Sequence, residues 1–352
     1  MDFNISKTII DDKGKIIFFG LQHFLNDIAK GDCCFICGAK ANSKDFNDEH
    51  IIPDWILRKY NLHKKQITLP NGSKIKYGSY KVPCCKECNS ELGETYELPI
   101  SNLLNKSYSE IIQEINNDPG IIYLLFKWLC LIFLKTHLKD KALVSERDKR
   151  IPSGFLADEY FWEDIHHIHC IARSYFTNAI IDYKVYGTIF ILPVLTHPDL
   201  DNFDYIDSPN GKGVLLQLGE FLIISVLNDS CAGYSMLKKQ FDKITGPLTP
   251  FQAIEIFSHL NFLNLSLKDG PTYYSTYSKK GEYHIRASVP KKIQLLEEDE
   301  QFVTPGNFLR YYLEGRLGEI ENKERFMDEI ESGKLAYLFD ENGVFISHSN
   351  LD

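Results

Sequence analysis

The chain has 352 residues, 44% of them hydrophobic and 25% charged, with 22 Gly and 14 Pro, which is wrong for a disordered or collagen-like chain and enough for a substantial core. A formal net charge of -9 argues against a general binder of polyanions, and nine cysteines, an odd number, argue against a disulfide framework. The length suggests two domains, or one domain carrying a smaller module.

The start, MDFNISKTII, lacks a basic region followed by an apolar run, so a cytoplasmic location is expected. Lys15 to Lys30 mixes Ile16, Ile17, Phe18, Phe19, Leu21, Phe24, Leu25 and Ile28 in a partly helical pattern and is expected to pack as support on a cysteine-bearing module. Six of the nine cysteines fall in two tight clusters, Cys33, Cys34, Cys37 and Cys84, Cys85, Cys88. The C-x-x-C pairs Cys34/Cys37 and Cys85/Cys88 supply four thiolates, the number a tetrahedral structural zinc site needs, and Gly38 follows the first pair as a tight turn requires. Cys33 and Cys84 are the spare neighbours, and a register using Cys84 stays open. Between the pairs lie Asp48-Glu49-His50-Ile51-Ile52-Pro53 and a basic stretch. From Trp55 to Lys86 there are eight basic residues, Arg58, Lys59, Lys64, Lys65, Lys74, Lys76, Lys81 and Lys86, and no acidic one. This +8 inside an acidic protein is either a solvated face or a phosphate-tracking surface.

After Cys88, Asn89 opens Asn89-Ser90-Glu91-Leu92-Gly93-Glu94-Thr95-Tyr96-Glu97, in which a helix would put Asn89, Gly93 and Glu97 on one face. Leu103 to Lys139 reads as helix in two pieces, broken at Asp118-Pro119-Gly120. Its longest apolar run, Ile121 to Leu134, is interrupted by Lys127 and is shorter than the ~20 residues of a membrane helix, so a buried helix and no membrane span are expected. Asp140 to Arg150 is charged and reads as a boundary. His166-His167-x-His169-Cys170 is a weak metal candidate set in what looks like a strand. Strands are predicted at Tyr183 to Leu195, at Val214 to Leu227 with a turn at Gly219-Glu220, and at Glu282 to Val289; AYLF and VFIS flank a hairpin turn at Asp340 to Gly343. Helical patterns return at Pro250 to Leu263 and from Pro305 to Ser332. The expected class is therefore α+β: residues 1–100 a small zinc-stapled module with its N-terminal support, residues 101–150 a helical connector, and residues 151–352 a larger α+β domain for sensing, specificity or assembly.

The combination of an acid-His pair followed by Ile-Ile-Pro, framed by C-x-x-C on one side and C-x-x-C-N on the other, resembles the HNH endonuclease superfamily, the ββα-metal nucleases, in its zinc-stapled form. The resemblance covers residues 33 to about 97. It implies a metal-dependent endonuclease acting on DNA, with His50 as the base that takes a proton from water, since a neutral imidazole suits that task at cellular pH. It further implies a catalytic Mg²⁺ or Mn²⁺ held by Glu49 and Asn89, with Asp48 in reserve, and Glu97, on the helix face of Asn89, either extends the metal or water shell or belongs to an exposed acidic face with Glu91 and Glu94. Asn61 and Asn71 are the candidates for the middle Asn of the motif. Arg58, Lys59, Lys64, Lys65, Lys74, Lys76 and Lys81 would bind the nucleic acid. By analogy of build such a chain resembles restriction or phage-defence effectors, in which the attached domain engages a protein partner or ligand or self-associates. The competing reading is a zinc ribbon that binds nucleic acid through the basic insertion and cuts nothing. No G-x-G-x-x-G, G-x-x-x-x-G-K-[ST] or G-x-S-x-G occurs, so a nucleotide-driven motor or a serine hydrolase has no support.

Overall fold

The computed structural model describes residues 3–148, 150–297, 300–301, 303–318 and 321–348. They divide into two units: the segment up to Val185 with Tyr273–Ala287, and Tyr186–Thr272 with the segment from Ser288 onward. The architecture is α+β, with separate small sheets rather than a closed barrel.

In the first unit, β1 (Phe46–His50) pairs antiparallel with β4 (Lys81–Cys85), Phe46 opposite Cys85 and His50 opposite Lys81. The segment between them forms helix α1 (Asp54–Lys59) and a hairpin of β2 (Gln66–Thr68) and β3 (Lys74–Lys76). Pro53 starts α1, because its ring fixes φ at -50° and its carbonyl accepts from Ile56 N-H at 3.0 Å. Helix α2 (Lys86–Leu92) begins directly after β4 and runs on through a π-helical stretch, Gly93–Glu97, into Leu98–Leu104. β4 and α2 thus carry Cys85 and Cys88, while Cys34 and Cys37 sit on a separate turn ahead of β1.

Helix α3 (Gly120–Asp140) is the centre of this unit. Leu125, Phe126, Trp128, Leu129, Cys130, Leu131, Ile132, Phe133 and Leu134 are all buried on it. Each large apolar side chain removed from water contributes about 1.5–3 kcal/mol, so α3 holds the unit together. It is 21 residues long and apolar enough to cross a bilayer, longer than the predicted run, yet most of it is buried in protein. Near its C-terminal end three buried polar side chains have partners: Thr136 donates to Ile132 O at 3.1 Å, His137 Nδ1 lies 2.7 Å from Phe133 O, and Tyr160 donates to Asp140 Oδ2 at 2.6 Å.

The stretch expected as a strand at His166 to Cys170 is a helix, His166–Ala172. Ile165, Ile168, His169 and Ala172 are buried at i, i+3, i+4 and i+7, the helical period, and Cys170 and Ile171 are buried as well. His169 Nε2 lies 2.8 Å from Phe35 O and His166 Nε2 2.7 Å from Phe19 O, while His167 stacks on Tyr273. Each of these imidazoles is engaged in packing, so they do not form a metal set. The next turn buries Arg173, which donates to Ile36 O and Ile16 O at 2.6 and 2.7 Å. These bonds tie residues 166–173 to the N-terminal strand region and the first cysteine turn, and the unit therefore runs past the charged stretch at 140–150. A four-stranded sheet of Phe3–Asn4, Thr272–Tyr277, Tyr283–Ser288 and Ile180–Ile181 completes it.

The second unit is a four-stranded antiparallel sheet in the order β6, β7, β8, β5, where β5 is Thr188–Pro193, β6 Phe203–Ser208, β7 Gly213–Leu218 and β8 Phe221–Val226. Every residue of β7 and β8 is buried, and Gly219 at φ +64° makes the predicted turn between them. Tyr183–Val185, expected as the start of the first strand, is a 3₁₀ turn instead. Helix α4 (Pro250–Leu265) packs Phe257 and Leu260 on Leu215, Leu222 and Ile224, and starts with a capping box of Thr249 and Gln252. The predicted C-terminal hairpin is present, with Phe339 opposite Phe345 and Gly343 at φ +72°.

Candidate functional site

The four thiols of Cys34, Cys37, Cys85 and Cys88 form one cluster with all sulfurs within 4.8 Å of one another. Cys37 Sγ and Cys85 Sγ are 3.7 Å apart, close to the edge of about 3.8 Å that a tetrahedron of 2.3 Å zinc–sulfur bonds requires. The donor set therefore fits zinc. Two local turns build it: Cys34 N-H donates to Ala39 O and Gly38 N-H to Cys34 O, both at 2.8 Å, and β4 delivers Cys85 one turn before Cys88. Gly38 is obligatory, since its φ is +76° and a Cβ there would sit 2.6 Å from Cζ of Phe19. Cys84 is a fifth thiol at the rim, 3.8 Å from Cys34 Sγ. Hydrogen bonds from Cys37, Cys84 and Cys88 pull the Cys34 thiol far below its ordinary value, and the same shared bonds push Cys37 and Cys88 up, so the cluster by itself shares its protons around one thiolate.

Strand alternation divides the residues between the cysteine pairs. Asn47 and Glu49 point to one side of β1, Asp48 and His50 to the other. On the first side Asn89 donates to Asn47 Oδ1 at 2.8 Å. Glu49, 8% exposed, accepts from Lys135 at 2.6 Å, and Lys135, fully buried on α3, also donates to His50 O at 2.6 Å. Glu97 Oε1 is 3.9 Å from the same ammonium and, though buried, has no hydrogen-bond partner among the described residues. Burial pushes Glu97 up to about 7, against the pull of Lys135. Glu49, Glu97 and Lys135 thus form one charge cluster, while Asn89 bonds Asn47, two residues before Glu49 on β1. No motif in the sequence marks Lys135; a lone cation within a run of buried apolar residues is the signal that could have found it.

On the other side, the half-buried His50 imidazole makes no hydrogen bond to the described residues. Burial lowers its pKa and the charge of Lys81 adds to the effect, against the opposing pull of Asp54 and Glu49, which favours the neutral imidazole. Two residues outside the predicted set, Asp54 and His63, bring their ligand atoms within 4.8 Å of it and of each other. His63 Nε2 is 2.9 Å from Asp54 Oδ1, and Arg58 is 2.6 Å from Asp54 Oδ2. Although burial opposes it, the bond from His63 and the charge of Arg58 hold Asp54 below the usual carboxylate range. Asp48 is exposed, opposite Pro83. Neither candidate for a middle Asn bonds His50: Asn71 donates to Val144 O and accepts from Ser73, and Asn61 takes φ +54° just after α1.

Of the basic residues, Lys64, Lys65, Lys74 and Lys76 are exposed, the last two on one face of β3 at i and i+2. Arg58 faces Asp54, Lys59 reaches Leu104 O at 3.3 Å, Lys81 is half-buried opposite His50, and Lys86 pairs with Asp45 at 3.2 Å. Comparison of the chain with protein-family models, with curated proteins and with solved structures finds no match.

Proposed function

We propose that the first unit is a metal-dependent endonuclease that hydrolyses phosphodiester bonds in DNA. The observation that carries this reading is His50: a half-buried imidazole, its pKa lowered by burial, without a hydrogen bond to the described residues, at the end of a strand whose partner strand leads directly into the helix bearing Asn89. Such a group can take a proton from an attacking water, the step that general-base catalysis accelerates by about 10²- to 10⁴-fold. For a catalytic Mg²⁺ or Mn²⁺ the oxygen donors would be Glu49 and Glu97, which the buried Lys135 ammonium now holds on the face of β1 opposite His50, so the ion would have to displace that ammonium. A hard divalent ion there would supply charge stabilisation for the phosphate oxygens. Lys135 holds Glu49 and the His50 carbonyl in place, so the strand that presents the base is fixed from beneath. The exposed lysines of β3 and of the segment leading into β2 lie in the same insertion and suit the phosphate backbone.

The supporting experiment is incubation of the full chain with supercoiled plasmid, with and without Mg²⁺ or Mn²⁺. Nicked and linear products that require the divalent ion support the reading, and uncut plasmid under all conditions, with DNA retained, favours a zinc-stapled binding module instead.

A further inference from the structure

We propose that His50, Asp54 and His63 form a second metal site, separate from the thiolate cluster, that takes a borderline divalent transition ion such as Zn²⁺ or Co²⁺. The three residues lie on a short stretch of chain, His50 closing β1, Asp54 opening α1 and His63 in the turn after it, and their ligand atoms lie within 4.8 Å of one another. The stretch is rigid where it matters. Ile51, Ile52, Pro53, Ile56, Leu57 and Leu62 are buried, and Leu62 N-H donates to Leu57 O at 2.8 Å. The His63 carbonyl accepts from Gly78 N-H at 3.2 Å, and a Cβ on Gly78 would lie 2.9 Å from that oxygen, so this glycine lets the 77–79 turn close on His63.

The ligand chemistry selects the ion. Two imidazole nitrogens and one carboxylate oxygen suit Zn²⁺, Co²⁺ or Ni²⁺ better than Mg²⁺, which wants oxygen ligands throughout. Bonds of about 2.0–2.2 Å put tetrahedral ligand atoms roughly 3.3–3.6 Å apart, so Asp54 and His63, now bonded at 2.9 Å, would open slightly to admit the ion, a change within reach because their side chains are 34% and 43% exposed. What Asp54 would give up is small: Arg58, its second partner, is 77% exposed, and such a surface pair is worth about 0–1 kcal/mol. The half-exposed setting leaves coordination positions to water. An ion bound here holds the His50 lone pair, so the base role proposed above belongs to protein in which this site is empty, and the ion would act as an inhibitor of cleavage.

The test uses full-length protein whose thiolate cluster has first been filled with zinc. Titration with Co²⁺ should bind one further ion per chain, giving a visible d–d absorption without the thiolate-to-cobalt charge-transfer band. His63→Ala and Asp54→Asn should each weaken that binding by at least about 10-fold while the thiolate-held zinc, measured by metal analysis, stays at one per chain. No further ion in the wild type, or undiminished binding in both variants, would overturn the proposal. Because the readout is binding, its failure leaves the endonuclease reading standing, and an absence of cleavage leaves the binding result standing.

Discussion

Replacing Lys135 by Met tests how the buried charge cluster is held. The ammonium is fully buried, bonds Glu49 and the His50 carbonyl at 2.6 Å each, and stands 3.9 Å from Glu97. Met keeps the volume of the stem and removes the charge, leaving two buried carboxyl groups facing each other without a cation. Removing one partner of a buried pair costs about 3–5 kcal/mol, well above the 0–1 kcal/mol of an exposed pair. Lys135→Met is therefore expected to lower the stability of the first unit by about 3–5 kcal/mol. Adding Glu49→Gln and Glu97→Gln, which removes the stranded charges, should restore most of that loss. Urea unfolding followed by tryptophan fluorescence isolates the effect, because all three tryptophans, Trp55, Trp128 and Trp162, belong to the first unit. A loss below about 1 kcal/mol in Lys135→Met, or no recovery in the triple variant, would refute the reasoning.

Cys88→Ser should abolish the chelator-resistant zinc and unfold the first unit by the same fluorescence signal, because thiolate-bound zinc contributes folding free energy directly; metal analysis checks it. Glu255, buried on α4 and accepting from Tyr337 and Leu338 N-H groups, has its pKa pushed by burial from 4.5 to about 6. The folded state thus keeps a proton that the unfolded chain releases, so this group's contribution is fully present below about pH 4.5 and is lost as pH rises through 6, by up to about 2 kcal/mol; in Glu255→Gln, urea unfolding monitored by circular dichroism should show that part of the pH dependence flattened. Changing Lys64, Lys65, Lys74 and Lys76 together to Ala should flatten the slope of log K for DNA against log salt by about 0.9 per lysine, and an unchanged slope would make the basic stretch a solvated face.

Local signals are legible in the sequence and contacts between distant segments are not. The thiolate cluster follows from two C-x-x-C turns, and Gly38 and Gly219 mark turns that the backbone does adopt with positive φ. Asp54 and His63 escape a reading by spacing because their meeting with His50 depends on how Pro53 launches α1 and how Gly78 closes on the turn after it. Lys127 and Lys135 both interrupt the apolar pattern of α3, and only packing separates the half-buried first from the fully buried second. The charged stretch at 140–150 has the composition of a boundary, but the buried side chains of His169 and Arg173 bind the segment beyond it back to Phe35, Ile36 and Ile16. The helix at His166 resembles a strand in sequence because two adjacent histidines obscure a 3.6-residue pattern in a short segment.

The most direct test of the central claim is the cleavage rate of His50→Ala against wild type on supercoiled plasmid with Mg²⁺, at equal zinc content and equal DNA affinity. A loss of about 10²-fold or more with binding intact is the predicted result. Cleavage by His50→Ala at the wild-type rate would contradict the account, because it would remove the catalytic role from this site.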